Sequence, residues 1–125
     1  MKNLSILLII FLTFNAFRND VPQTQALASA LNKGDVQQIN TWLDESVKLV
    51  MDGEKSRKDK KQAGDQLMSF FTQYPVQKFK MVHQADGKSA TLIIGQLITK
   101  DRIFRTNVYC SIEKNNLKIQ EIRFD

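Results

Sequence analysis

The sequence predicts an α+β domain, with helices in its first half packed against a curved antiparallel sheet made by its second half. Three observations carry this. Ala63, Leu67, Phe70, Phe71 and Tyr74 form an apolar stripe at helical spacing, and Pro75 stops the helix that bears it. From Val76 onward, alternating segments are separated by the turn pairs Asp86-Gly87, Lys100-Asp101 and Asn115-Asn116. Strands joined by tight turns make an antiparallel meander, and the helices that precede it must cover one face.

The elements are read in order. Residues 1–17 begin with Lys2 and continue in a fourteen-residue apolar run from Leu4 to Phe17. That run suits a signal-peptide core and is shorter than the roughly 20 residues of a spanning helix. We take residues 1–17 as a signal peptide and residues 18–125 as one domain, exported to the periplasm or secreted. Phe14 stands where a small residue favours cleavage, so an uncleaved membrane anchor is the alternative. The first helix runs from Thr24 to Asn32 with Leu27, Ala30 and Leu31 on one face, and Gly34 ends it. Asp35 caps a second helix with Gln38 three residues on, and Val36, Ile39 and Leu43 share its face beside Trp42.

Ser46 to Met51 reads as one short strand, closed by Asp52-Gly53. The third helix is expected from Arg57 to Gln73, with Ser56 and Asp59 as its capping signature. Four long strands follow. Phe79, Met81 and His83 share a face of the first, and the second is apolar on both faces. In the third, Phe104, Val108, Cys110 and Ile112 oppose Arg105, Asn107 and Tyr109. In the last, Leu117 and Ile119 have the opposite parity to Ile122 and Phe124, which predicts a bulge near Gln120-Glu121.

Composition narrows the function classes. With 42% hydrophobic and 25% charged residues, a packed core is within reach and disorder is not indicated. The net charge of +5 permits attraction to anionic surfaces, without the concentrated basic motif of a nucleic-acid binder. Cys110 is the only cysteine, which rules out an internal disulfide and paired-cysteine zinc clusters. No metal or cofactor motif is found.

The segments ALNKGDVQQINTWL, QLMSFFTQYPV and LKIQEIRFD, in this order of elements, resemble the nuclear transport factor 2-like (cystatin-like) fold. Together with the leader they are similar to an exported Bacteroidetes family, domain of unknown function 4783, over nearly all of residues 24–125. The resemblance implies a cone: three N-terminal helices packed on a curved antiparallel sheet of four long strands plus one short strand. It supplies no catalytic residues. Enzymes of this fold set an acid or base deep in the cone. Here Asp86 and Asp101 fall in turns, and Glu113 and Glu121 near strand ends.

The candidate sites follow. Trp42, Phe71, Phe79, Met81, His83, Phe104 and Thr106 are candidates to line an apolar pocket between helices and sheet; ordinary core packing is the alternative. His83 is the one candidate base for an isomerase- or dehydratase-type enzyme, and a solvent-facing histidine is the alternative. Cys110, flanked by Val108 and Ile112, reads as a buried thiol with a raised pKa. Lys55, Arg57, Lys58, Lys60 and Lys61 crowd the expected start of the third helix, where cations are unfavourable. They suggest an anion, such as a phospholipid or glycolipid head group, or else a merely solvated helix start. Arg105, Asn107 and Tyr109 suit a homodimer through the outer sheet face, or plain exposure. The sequence reading is thus a non-catalytic exported module for a small apolar or amphipathic ligand or a partner protein.

Overall fold

A computed structural model describes residues 22–125, and the leader reading over residues 1–17 lies outside the described residues. Helix α1 (Pro22–Lys33) ends in Gly34 at φ 63°. The Asp35 N–H donates to the Ala30 carbonyl and the Gly34 N–H to that of Leu31, satisfying carbonyls the helix end would otherwise orphan. The corner so formed starts α2 (Val36–Asn40), where the Asp35 carboxylate accepts from the Gln38 N–H as expected. Helix α2 is a short one, and Leu43 opens strand β1 (Leu43–Met51) rather than continuing it.

Asp52 and Gly53, both at positive φ, turn β1 into β2 (Glu54–Asp59). Here the sequence expectation is corrected. Residues 54–59 are a second strand paired in register with β1, not the start of the third helix. Helix α3 (Lys60–Gln73) begins later, capped by Asp59, whose carboxylate accepts from the Gln62 N–H at 2.8 Å. Ser56 caps nothing, because it lies inside β2 opposite Leu49. A strand with no apolar alternation forms because it completes a hairpin at the sheet edge, where charged side chains are tolerated.

Four long strands follow: β3 (Val76–Asp86), β4 (Ala90–Thr99), β5 (Ile103–Glu113) and β6 (Asn116–Phe124). The turn after β3 is longer than the expected Asp86-Gly87 pair, since Asp86 still pairs with Thr91. The last turn is Lys114-Asn115, one residue earlier than expected, with both residues at positive φ. The sheet order is β2-β1-β6-β5-β4-β3. Neighbours are antiparallel except β1 and β6, which run parallel. The expected antiparallel sheet of four long strands and one short one is therefore a mixed sheet of six. The helices are not all N-terminal to it either: among the described residues, two precede β1 and α3 separates β2 from β3.

The predicted bulge is present. The β5–β6 register shifts at Gln120, and Leu117, Ile119, Ile122 and Phe124 are all buried. Gln120 itself donates to Asp44 Oδ2 and Ser111 Oγ. Bulges of this kind bend a sheet. The stripe Ala63, Leu67, Phe70 and Phe71 packs into the core together with Leu27, Leu31 and Ile39 of α1 and α2, with Tyr74 half-buried at its end. Gly64 sits on the same helix where the Asn40 side chain crosses it.

Candidate functional site

The space between α3 and the sheet is filled by aromatic rings. Phe70 stacks on Phe124 at 4.6 Å and meets Phe104 at 5.0 Å, and Tyr74 meets Phe104 edge-on at 4.9 Å. Of the pocket candidates, Phe71, Phe79, Phe104 and Thr106 are buried within this packing, and the Thr106 hydroxyl donates to the Phe104 carbonyl. Trp42 is half-buried at the corner between α2 and β1, beside a polar hollow with Lys60 and Lys118. Met81 is half-buried on the inner face of β3. The structure therefore does not gather the candidates around one opening.

His83 parts from Phe79 and Met81. A second bulge, at Val82, lies between Met81 and His83, so His83 pairs with Ile94 and is exposed on the outer face of the sheet. After Met81 the residues at this bulge are exposed (Val82, His83) or polar (Gln84), so the sequence held no parity signal to reveal it. Cys110 is fully buried on the inner face, and desolvation pushes its thiol up to about 12. The sheet separates the two residues, so His83 cannot activate Cys110.

An apolar-walled groove lies between α1 and the sheet among the described residues. It encloses about 480 Å³ between the first turn of α1 (Thr24, Gln25), β3 (Met81, Gln84, Asp86), Thr91 and Ile112. A smaller hollow of about 210 Å³ adjoins it through Thr24 and Ile112 and extends toward Lys88 and Leu117. Gln23 pins the helix to this end of the sheet, donating to the Asn115 carbonyl and accepting from the Leu117 N–H. Met81 and Ile112 supply apolar walls. Asp86 Oδ1 accepts from Gln84 Nε2 at 2.9 Å and from the hydroxyl of buried Thr91 at 2.6 Å. Those hydrogen bonds hold its carboxyl below the usual carboxylate value, so it is ionised at neutral pH and Oδ2 keeps its acceptor capacity. Sequence reading missed this site. The signal available was a polar pair, Gln84 and Asp86, ending an otherwise inward-facing row.

The basic run is divided between two elements. Lys55, Arg57 and Lys58 lie on the edge strand β2, and Lys60 and Lys61 open α3. Register places Lys55 and Arg57 opposite Val50 and Lys48, on the outer face of the sheet. Arg105, Asn107 and Tyr109 are on that face too, since their neighbours Phe104, Thr106, Val108 and Cys110 are buried inside. Among the described residues, no His, Cys, Asp and Glu group could hold a metal, and no helix is long and apolar enough to cross a membrane.

A curved six-stranded sheet over helices, with no set of reacting groups assembled among the described residues, defines an NTF2-like α+β domain. The chain belongs to the family of the domain of unknown function DUF4783, which matches residues 24–125. It is similar to a DUF4783 family protein from Bacteroides fragilis YCH46, at 31% identity and TM-score 0.75, covering 79% of this chain and 93% of that one. A DUF4783 family protein from Bacteroides uniformis ATCC 8492 is similar at 28% identity and TM-score 0.78, covering 81% and 94%. An NTF2-like protein of unknown function from Cytophaga hutchinsonii ATCC 33406 shares the fold at 11% identity and TM-score 0.56, covering 79% and 83%. No curated protein matches the chain.

Proposed function

We propose that the chain is an exported, non-catalytic binding module that holds a small amphipathic molecule in the groove between α1 and the ends of β3–β5. One observation carries this: an apolar-walled concavity of about 480 Å³ with one oriented carboxylate, Asp86, at its edge. The apolar body of the ligand rests on Met81 and Ile112, and a donor group meets Asp86 Oδ2. A few convergent polar groups on an apolar wall are the usual anatomy of such a site. The leader supports export. His83, on the opposite face, offers no base to a ligand held here.

Mass spectrometry of small molecules extracted from the chain purified from its native host tests the reading. An amphipathic compound bound by the wild type and absent from Ile112→Arg, with both proteins folded by circular dichroism, is the expected result. Equal recovery from both proteins, or no compound from either, overturns it.

A further inference from the structure

The outer face of the sheet carries exposed apolar side chains and an excess of cations. Cross-strand pairing aligns Arg57, Lys48, Glu121, Tyr109 and Leu92 in one row, and Lys55, Val50, Arg123, Asn107, Ile94 and His83 in the next. Below these come Arg105, Gln96 and Lys80, then Ile103, Ile98 and Lys78. Of the four exposed large apolar side chains among the described residues, Ile103 (58% exposed) and Tyr109 (44%) are in these rows, and Val82 (61%) is the bulged residue of β3 beside His83. Ile103 and Tyr109 are six positions apart on β5, roughly 20 Å along the strand.

The charges are one-sided. Of the carboxylates on this face among the described residues, Glu121 is taken by Lys48 at 3.4 Å, Asp125 by Arg123 at 3.0 Å and Asp44 by the Gln120 amide at 2.7 Å, while Glu113 lies at the far end of β5. Lys55, Arg57, Lys78, Lys80 and Arg105 have no carboxylate within ion-pair distance among the described residues, and all are exposed. They sit on both edge strands and in the middle, so they border the apolar rows rather than forming a separate cluster. A second copy of the chain on this face would set like charges against like. Strand addition by a peptide is also disfavoured. The β2 edge is short and charged, while β3 is bulged twice and its Phe79 N–H already donates to Asn32 Oδ1.

We propose that this face docks on an anionic phospholipid surface, with Ile103 and Tyr109 entering the headgroup boundary and Lys55, Arg57, Lys78, Lys80 and Arg105 neutralising the headgroups. Apolar side chains surrounded by unpaired cations are complementary to such a surface in both of its terms, the hydrophobic and the electrostatic. The site is the sheet face and not the start of α3, where Lys60 and Lys61 lie on a different element.

The test is co-sedimentation of the full chain with vesicles of phosphatidylglycerol and phosphatidylcholine, against phosphatidylcholine alone. Changing Lys55, Arg57, Lys78, Lys80 and Arg105 together to Gln should abolish the preference for the anionic vesicles, a loss of about tenfold or more that added salt reproduces in the wild type. Ile103→Ser with Tyr109→Ser should weaken binding while leaving its salt dependence. The control K58Q/K60Q/K61Q should retain the preference. The leader is common to all variants and cancels in the comparison. Equal binding to both vesicles, or an unaffected five-residue variant, overturns the proposal. So does loss in the control alone, which would move the site to the helix start. Tight binding of soluble polyglutamate without vesicle binding would assign the face to an acidic protein. A dimer in sedimentation equilibrium that Ile103→Glu dissociates would assign it to a second copy.

Discussion

The two faces of the sheet are built from the same strands and do different work. On the inner face, residues at alternate positions of β4, β5 and β6 are buried almost without exception, and rings fill the space beneath α3. On the outer face, apolar residues are left in water beside Lys55, Arg57, Lys78, Lys80 and Arg105, which have no carboxylate within ion-pair distance among the described residues. The inner face is therefore the source of stability, and the outer face is where side-chain identity is free to serve binding.

Substitutions on the two faces should separate by magnitude. Phe70→Ala removes a ring in contact with Phe71, Tyr74, Phe104 and Phe124, and should cost about 3–5 kcal/mol by chemical denaturation. That is a large share of the ~5–15 kcal/mol typical of a domain. A cost under ~1 kcal/mol would mean the aromatic layer is not the core. Gly95→Ala should cost about 1–3 kcal/mol, because a Cβ there would stand 2.5 Å from the Lys80 carbonyl oxygen and from the Phe79 ring.

Asp59→Ala should cost about 1 kcal/mol through loss of the α3 cap, visible as a lowered melting temperature. Ser56→Ala should be neutral or stabilising, since its buried hydroxyl has no hydrogen-bond partner. The reverse order would restore Ser56 as the cap. Ile103→Thr and Tyr109→Thr on the outer face should stay within ~0.5 kcal/mol of wild type. A large loss at either would show that the outer face is structural.

The smallest effect is a pH dependence at the Gln120 bulge. The side-chain hydrogen bond from Gln120, aided by the Glu45 N–H, holds the Asp44 carboxyl below its ordinary value of 3.8. The folded state therefore keeps Asp44 ionised at lower pH than the unfolded state does. Its contribution is complete above the ordinary value and is lost as pH falls through the folded one. A titration of Asp44 by NMR should show a depressed midpoint that Gln120→Leu raises. No change on substitution would remove Gln120 as the cause.

Much of this architecture was legible in the residues, and the failures have definite causes. The α3 stripe, the corner at Gly34-Asp35 and the bulge near Gln120 were each readable, because each is written in which side chains must leave water. Leu117 and Ile119 can share a core with Ile122 and Phe124 only if one residue is inserted between the pairs. Strand β2 was misread because Glu-Lys-Ser-Arg-Lys-Asp has no apolar alternation, and its charges looked like a helix start. The Val82 bulge was missed because Val82, His83 and Gln84 offer no buried parity to violate. The candidate site was the least legible part. Its walls come from α1, β3, β4 and β5, and only Met81 among the expected pocket residues lines it.

By itself the sequence determined the helices α1 and α2, the apolar stripe of α3, the inward-facing positions of β4 and β5 and the place where the last strand must bend. These follow from the period of apolar side chains, which burial enforces wherever one face is dry. The tertiary structure decided the parallel join of β1 to β6, the strand identity of residues 54–59, the turning of His83 to the outside and the meeting of Asp86 with Met81 and Ile112 at one groove. Those outcomes rest on pairing between residues far apart in the chain, and no local pattern of side chains specifies which distant strand will be the neighbour.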